Sequence, residues 1–466
     1  MNGDPFARRG SPGRSALARP GFPAPPPARR LLLAWTLLLL ASACAPPRPS
    51  NLVLVSIDTL RAGLLGCYGY GRPTSPTLDA LAARGVLFER AMATAPWTLP
   101  SHASLLSGLY PSRHGVRRAG ALLPEDVRPW AERLREQGFA TAAVVNSRWL
   151  GDDSGLQRGF HDFLRVDDAV HRREPSAVGG LAGGWLSENR REPFFLFVHF
   201  YDVHSNYWSL PRYEEEFLRP YRGPLDGSTA QLRAVRDGHL ELGPADVRHL
   251  IDRYAAGIRQ LDDVLAQLVG ILRDAGLLES TLVILTSDHG EEFLDHGDVM
   301  HGRTQFEEVM HVPLVLVGPG LPAGLRVREP VSLVDVMPTA FALLGRPVPP
   351  GLDGLDLSPL WERPGASLGR RFLFGEADWR NDEADVTRSV RSGRWKLVLD
   401  RRTGESRLYD LARDPRERQD VQADRPKVAE RLRAELEEFM RDAREAPAPA
   451  ELTPEEIERL EELGYL

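Results

Sequence analysis

The chain has little cysteine and no apolar run long enough to cross a bilayer. Its 466 residues include two cysteines, Cys44 and Cys67, too few for the disulfide framework that stabilises small secreted domains. The longest apolar run, Leu31–Leu40, has ten residues, whereas a membrane-spanning helix needs about 20. Internal repeats are also absent. The sequence therefore predicts a globular protein with a large core, in which Cys67 is a buried packing residue.

The main part of the chain has no excess of basic residues. Residues 1–43 carry six arginines and one acid, for a local charge of +5, whereas the rest carries −12. Proteins that bind nucleic acids present a basic surface to the phosphate backbone. This distribution excludes nucleic acid as a partner.

The basic N-terminal segment has the pattern of an export signal. Two arginines precede Leu31–Leu40, and the small residues 41–43 precede Cys44. The pattern predicts a signal peptide of the lipoprotein type over 1–43, with Cys44 lipidated after cleavage, and a short tether over 44–50. Because Ala41 stands where lipoprotein signals commonly have leucine, ordinary cleavage is the alternative. We expect an exported, periplasmic or cell-envelope protein that contacts the membrane only through this anchor.

Apolar runs of strand length alternate with helical segments between residues 51 and 364. The runs NLVLVSI (51–57), FFLFVHF (194–200) and TLVILTS (281–287) are typical of strands buried on both faces. This alternation predicts an α/β catalytic domain with a doubly wound, mostly parallel sheet and helices on both faces. Residues 365–466 instead indicate a small C-terminal antiparallel sheet with an amphipathic helix, followed by a tail helix.

Polar side chains follow two of the buried strands. Asp58 ends the first strand, and Asp288 and His289 end a later one; ligands bind at such strand ends in open α/β sheets. The Pro-punctuated loop APWTLPSHASLLSGLYPSRHG (95–115) delivers Thr98 to a short helix predicted over 103–109, where the helix N-terminus favours anions. Carboxylates and an imidazole together suit a divalent cation. The alternatives are that Asp58 caps a turn and that Thr98 or Ser101 caps the helix.

Several longer motifs point to one family. They read NLVLVSIDTLRAGLLGCYGY (51–70), APWTLPSHASLLSGLYPSRHGV (95–116), HFYDVHSNY (199–207), TSDHGEEFLDHG (286–297) and HGRTQFEEVMHVPLVLVGPG (301–320). With these stretches the chain resembles the sulfatase family of the alkaline-phosphatase superfamily, over nearly its whole length and in the family's order. The resemblance implies an ester hydrolase that uses a divalent cation.

The resemblance also implies roles for individual residues. Metal ligands are expected at Asp58, Thr98, Asp288 and His289, and the nucleophile at Thr98. His204 and His301 match or neighbour positions that bind the ester's oxyanion or protonate the leaving group. Substrate contacts are expected from His102, His296, Asn146 and Arg303. One cation (Ca²⁺, Mn²⁺, Mg²⁺ or Zn²⁺) is expected, and a second would need ligands such as Asp202, His204 or His301.

The motifs depart from the family pattern at the nucleophile. Sulfatases carry Cys or Ser in a C/S-x-P-x-R signature that is oxidised to formylglycine, whereas this chain reads Thr98-Leu99-Pro100-Ser101-His102. A threonine cannot give that aldehyde, so no formylglycine is expected. Thr59 also stands where many sulfatases have a second metal-binding aspartate.

These observations predict a metal-dependent sulfatase-family hydrolase that cleaves a sulfate, phosphate or phosphonate ester with Thr98 as nucleophile. The substrate would be a small-molecule, glycan or lipid ester. One alternative is a transferase that moves a phospho-headgroup to a cell-surface lipid or glycan, against which stands the absence of a multi-span membrane domain. The other is a non-catalytic binding protein on the same fold, for which His102 and Thr59 are the support.

Overall fold

The computed structural model describes residues 47–151, 154–166, 177–189, 193–363, 365–369, 371–378 and 386–444. The predicted export signal, Cys44 and the predicted tail helix lie outside these residues. The division at residue 364 stays a prediction.

An eight-stranded sheet forms the centre of the fold. The strands of the chain are β1 (Asn51–Ile57), β2 (Val86–Phe88), β3 (Ala91–Met92), β4 (Ala140–Val145), β5 (Asp162–Arg165), β6 (Phe194–Phe200), β7 (Thr281–Ser287), β8 (Glu292–Phe293), β9 (Val299–Met300), β10 (His311–Val312), β11 (Leu314–Val317), β12 (Leu325–Val327), β13 (Val331–Ser332), β14 (Leu373–Asp378), β15 (Val386–Ser392), β16 (Trp395–Asp400) and β17 (Ser406–Asp410). The central sheet has the order β12–β2–β11–β7–β1–β6–β4–β5.

Most neighbouring strands of this sheet are parallel. β1 pairs in parallel with β6 and β7, and β4 pairs in parallel with β5 and β6. β11 is the exception, because it runs antiparallel to both β7 and β2. The chain at 311–317 is divided at Pro313 into β10, which joins a small sheet with β3 and β13, and β11. The predicted fold class is confirmed.

Helices cover both faces of the central sheet. They are α1 (Pro76–Arg84), α2 (Thr98–Ser107), α3 (Pro111–His114), α4 (Trp130–Arg135), α5 (Ala177–Glu188), α6 (Pro211–Phe217), α7 (Thr229–Arg236), α8 (Pro244–Asp274), α9 (Glu307–Met310), α10 (Val336–Leu343), α11 (Pro359–Glu362) and α12 (Pro426–Arg441). Among the described residues, no helix combines the length and the apolar character that crossing a membrane requires.

The two faces of β1 contribute to different hydrophobic cores. Leu52 and Leu54 pack with Trp130 of α4 on one side, whereas Val53 and Val55 pack with the core residues of α8 on the other. This division follows from the alternation of side chains along a strand, because successive residues point to opposite faces. Every residue of β1 is buried, which explains why the run is apolar throughout.

The C-terminal sheet consists of the antiparallel strands β14 to β17, with α12 packed against it. A buried charged group connects this sheet to the catalytic part of the chain. The ammonium of Lys396 on β16 is fully buried and lies 3.1 Å from Glu307 Oε1 on α9 and 2.9 Å from Glu417 Oε1. Arg391 of β15 lies 3.1 Å from the other carboxylate oxygen of Glu307. A buried ammonium is tolerated because two carboxylates compensate its charge.

We expect Gly85→Ala to destabilise the protein. Gly85 ends α1 where the chain passes against β11, and a Cβ there would lie 2.0 Å from the carbonyl oxygen of Leu316. Relieving this overlap requires a backbone shift, which typically costs about 1–3 kcal/mol. Urea denaturation should show this loss of unfolding free energy. The control is Gly71→Ala, because nothing lies within 4 Å of a Cβ at Gly71; equal stability of both variants would contradict the steric argument.

Candidate active site

The parallel pairing of β1 with β7 brings two aspartates to one edge of the sheet. Ile57 is in register with Ser287, so the residues that follow, Asp58 and Asp288, leave the sheet side by side. Both carboxylates are 0% exposed. His289 follows Asp288 directly and is also fully buried. We call Asp58, Asp288 and His289 the cation cluster.

Three ligand atoms of the cation cluster face one another. His289 Nε2 lies 3.3 Å from Asp288 Oδ2 and 3.7 Å from Asp58 Oδ1. Each of these atoms is buried and has no hydrogen-bond partner among the described residues. Burying polar atoms without partners is costly, and placing two carboxylates together adds repulsion. A divalent cation bound between them would compensate both costs, so the residues present fit the metal site that the sequence predicts.

Local hydrogen bonds orient two of the ligands. Asp288 Oδ1 accepts hydrogen bonds from the backbone N–H groups of His289 (2.9 Å) and Thr59 (3.3 Å), which directs Oδ2 toward the cluster. The Nδ1 of His289 lies 3.0 Å from the carbonyl oxygen of Gly290. Because a carbonyl accepts only, this contact places the proton on Nδ1 and leaves Nε2 as a lone-pair donor, the form that binds metals.

Thr98 joins the cation cluster through Asp58. Its hydroxyl donates a hydrogen bond to Asp58 Oδ2 over 3.3 Å, and the residue is fully buried. Thr98 is the first residue of α2, and Trp97 occupies the N-cap position. The helix thus begins five residues earlier than the predicted 103–109. Neither hydroxyl caps it, since that of Ser101 donates to the Asp288 carbonyl over 2.6 Å.

Burial raises the pKa of both cluster carboxyls. For Asp288, the neighbouring Asp58 carboxylate raises the pKa further, because two negative charges in one buried site repel. Nearby histidines act in the opposite direction on Asp58 but do not offset its burial. Without a cation, the negative form of this site is therefore unfavourable.

Two histidines lie beneath Thr98 and Asp58. His102 contacts the Thr98 carbonyl oxygen through Nδ1 and Ser56 Oγ through Nε2, both at 2.9 Å. Burial lowers the pKa of His102 to about 4, so the ring is neutral. Both ring nitrogens of His102 have partners within the protein. The expected substrate contact of His102 stays a prediction.

His199 Nε2 lies 3.3 Å from Asp58 Oδ2. Sequence reasoning missed His199, although it is the one ionisable residue in the apolar strand β6.

His204 and His301 lie beside the cation cluster. Their ring centroids are 4.9 Å apart, and the His301 ring lies 4.4 Å from that of His289. His204 stacks on Tyr201 at 4.1 Å, and its Nδ1 lies 2.8 Å from the Ser205 carbonyl oxygen. Burial lowers the pKa of His204 to about 3. The structure thus places both predicted histidines next to the predicted metal ligands.

Asn146 follows β4, two strands from β1 in the sheet, and is fully buried. Neither atom of its amide has a hydrogen-bond partner among the described residues. Since an amide donates and accepts, a polar group in this position would satisfy it. This environment is compatible with the predicted substrate contact of Asn146, which stays a prediction.

The structure does not bring His296 or Arg303 into the cation cluster. The His296 ring stacks on Phe306 at 3.6 Å, and its Nδ1 contacts Glu308. This histidine lines a cavity of about 240 Å³, whereas Arg303 lines a second one of about 230 Å³ together with Tyr409 of the C-terminal sheet. The substrate contacts of His296 and Arg303 stay predictions.

Comparison with known proteins decides the family. The family model described as Sulfatase matches residues 50–346, which is more than half of the chain. The chain belongs to the sulfatase family. The model of the N-sulphoglucosamine sulphohydrolase C-terminal region matches residues 295–446. The predicted family is thereby confirmed, and the chain is an ester hydrolase of the sulfatase family. This family generally depends on divalent metal ions, and the cation cluster is a group that could hold one.

Relatives within the sulfatase family act on different esters. Human arylsulfatase A is 28% identical over 426 residues, which cover 77% of this chain and 76% of the relative. A Delta 4,5-hexuronate-2-O-sulfatase of Bacteroides thetaiotaomicron is 25% identical over 444 residues, covering 86% and 90%. The solved phosphonate monoester hydrolase of Agrobacterium radiobacter superposes with a TM-score of 0.68 at 26% identity, covering 88% of this chain and 99% of that one.

Proposed function

We propose that the chain is an exported, metal-dependent hydrolase that cleaves a sulfate, phosphate or phosphonate ester with Thr98 as its nucleophile. The observation that carries this proposal is the position of the Thr98 hydroxyl, 3.3 Å from a carboxylate of the cation cluster and at the N-terminus of α2. Unpaired backbone N–H groups at a helix N-terminus favour the negative charge of a bound ester. Export by the N-terminal signal and lipidation of Cys44 after its cleavage are part of this proposal.

The first step forms a covalent ester on Thr98. The Thr98 oxygen attacks sulfur or phosphorus as its proton passes along the existing hydrogen bond to Asp58 Oδ2. The bond from the central atom to the leaving oxygen breaks, and its electron pair remains on that oxygen. Burial lowers the pKa of both His301 and His204, and the negative charge of a bound ester raises the pKa of the ring beside it, so that His301 or His204 can hold a proton and give it to the leaving oxygen. A cation held by the cluster supplies charge stabilisation and lowers the pKa of the nearby hydroxyl.

The second step releases the acid. Formylglycine resolves its ester by expelling the acid through cleavage of a C–O bond, which needs a second hydroxyl on the same carbon. Thr98 has one hydroxyl, so water must attack sulfur or phosphorus. The histidine that protonated the first leaving oxygen takes a proton from this water, and the Thr98 oxygen leaves with the proton held by Asp58. This requirement suits phosphoryl transfer, and we propose phosphate or phosphonate esters as the preferred substrates. The phosphonate monoester hydrolase among the relatives supports this preference.

The donor set favours a transition metal over calcium. Ca²⁺ takes six to eight oxygen ligands, whereas this site offers two carboxylates, one hydroxyl and the His289 imidazole. Imidazole with carboxylates is a common donor set for Zn²⁺ and is also accepted by Mn²⁺. We propose that one such ion binds the cation cluster and Thr98.

A panel of four p-nitrophenyl esters tests the proposed function. The purified chain is loaded with Zn²⁺, Mn²⁺, Mg²⁺ or Ca²⁺ and assayed with the sulfate monoester, the phosphate monoester, the phosphate diester and the phenylphosphonate monoester. We expect kcat/KM for a phosphorus ester to exceed that for the sulfate by about tenfold or more, with Zn²⁺ or Mn²⁺ as the best ion. A preference for sulfate, or equal rates without any metal, would contradict the proposal.

A further inference from the structure

Glu291 is a fully buried carboxyl that the proposed steps do not use. It follows the cation cluster in sequence, two residues after His289, and is 0% exposed. Its Oε1 lies 3.0 Å from Nδ1 of His301. Since a carboxyl is rarely buried without a function or a partner, this contact accounts for its position.

The backbone around Glu291 is held in place independently of the carboxyl. The N–H of Gly290 donates to the Val309 carbonyl over 2.7 Å, and that of Glu291 donates to the Glu308 carbonyl over 3.1 Å. A Cβ at Gly290 would lie 2.1 Å from the Glu308 carbonyl oxygen, so only glycine permits this approach. The turn that presents His289 therefore also fixes the start of the Glu291 side chain.

The backbone of His301 is fixed by different contacts. The guanidinium of Arg236 donates to the carbonyl oxygens of Val299 (2.5 Å) and His301 (3.0 Å). These bonds hold the backbone of His301, whereas its ring contacts Glu291, His204 and His289. The contact between His301 Nδ1 and Glu291 is directional and restricts the orientation of the ring, because an imidazole bonded through Nδ1 has its Nε2 on the opposite side.

We propose that Glu291 is a positioning residue, which holds the ring of His301 so that its Nε2 delivers the proton to the leaving oxygen of the ester. This inference rests on the proposed function, in which His301 serves the leaving group. Glu291 itself touches neither the ester nor the reacting atoms. Its contribution is therefore largest for leaving groups that need the proton most, namely the least acidic alcohols.

Glu292 provides a matched control in the neighbouring position. It is also buried, at 1% exposed, but its carboxylate accepts a hydrogen bond from the hydroxyl of Thr304 rather than from a histidine. Substitution of Glu292 thus removes a buried carboxyl of the same size from the next position in the chain, and the contact between Glu291 and His301 is kept.

The test measures kcat with phosphonate esters of phenols and alcohols that span a wide range of leaving-group acidity. We expect Glu291→Ala to lower kcat about 10- to 100-fold for the poorest leaving group and less than about threefold for the best, with KM little changed. Glu291→Gln, which keeps an acceptor oxygen, should restore part of the loss. Glu292→Ala should leave the dependence on leaving group as in the wild type, and bound metal should be equal in all variants.

A double-mutant cycle separates this inference from a structural role. In a His301→Ala background, Glu291→Ala should have no further effect on kcat, because its partner is already gone. Equal losses for all leaving groups, additive losses in the cycle or loss of bound metal would overturn the inference. If Glu291→Ala does not fold, the Glu291→Gln cycle with His301→Ala decides in the same way. Failure of the proposed function appears differently, as wild-type turnover of a Thr98→Ala variant.

Discussion

Thr98→Ala is expected to lower kcat by about 10³-fold or more on the best ester, because no other hydroxyl can take the place of the attacking oxygen. Thr98→Ser keeps an oxygen within reach of Asp58 and should retain activity within about tenfold of the wild type. Rapid quenching of the wild-type reaction followed by peptide mass spectrometry should find a phosphoryl or sulfuryl group covalently attached to Thr98. The unreacted peptide should carry unmodified threonine.

The control for Thr98 is Ser104→Ala. Ser104 lies on the same helix and is also buried, but its hydroxyl lies 3.0 Å from Nε2 of His114, away from the cation cluster. Its loss leaves a buried imidazole with one partner fewer, which should cost about 1 kcal/mol of unfolding free energy without slowing the reaction. A Thr98→Ala variant as active as Ser104→Ala would remove Thr98 from the mechanism.

Asp288→Asn is expected to change stability in opposite directions with and without metal. In the metal-free protein, the neutral amide removes a buried charge that lies against His289 and close to Asp58, so the unfolding free energy should rise by about 1–3 kcal/mol. In the metal-loaded protein, the loss of a charged ligand should lower both metal affinity and stability, and kcat should fall by about 10³-fold. Thermal unfolding with and without Zn²⁺ or Mn²⁺, together with metal analysis, measures all three effects.

Asp262→Asn is the matched control for this substitution. Asp262 is a buried carboxylate on α8 that accepts hydrogen bonds from the backbone N–H groups of Thr77 (2.8 Å) and Leu78 (3.0 Å), much as Asp288 accepts two. It lies outside the cation cluster, so its substitution should destabilise the protein equally with and without metal. If Asp288→Asn behaves like Asp262→Asn, the cluster does not hold the ion.

The positions of Asp58 and Asp288 follow from the sequence because long apolar runs mark strands buried on both faces. Such strands are parallel neighbours in an α/β sheet, so the polar residues after them meet at one edge. The direction of β11 does not follow, since an apolar run carries no information on whether its neighbour is parallel.

The start of α2 shows a second limit of sequence reasoning. Pro100 is typical of a loop, but proline is also tolerated in the first turn of a helix, where its missing N–H has no partner to lose. Thr98 therefore lies inside the helix rather than before it. His199 could not be placed either, because its contact with Asp58 depends on the twist and register of two neighbouring strands.

The position of His296 outside the cation cluster could not be predicted from the sequence either. β8 and β9 have two residues each, too few for an alternating pattern to be visible in the sequence. The hairpin nevertheless redirects the chain, so that His296 and Arg303 line two different cavities rather than the cation cluster. Proximity along the chain was therefore a poor guide to proximity in space here.

Lys396 makes the last hundred residues inseparable from the rest. Its ammonium lies between Glu307 of α9 and Glu417, which follows β17, so detaching the C-terminal sheet would leave the Glu307 carboxylate without the positive charge that compensates it. We therefore expect the two parts to unfold together, in one cooperative transition. A shortened chain that ends before β14 should accordingly be markedly less stable than the full chain.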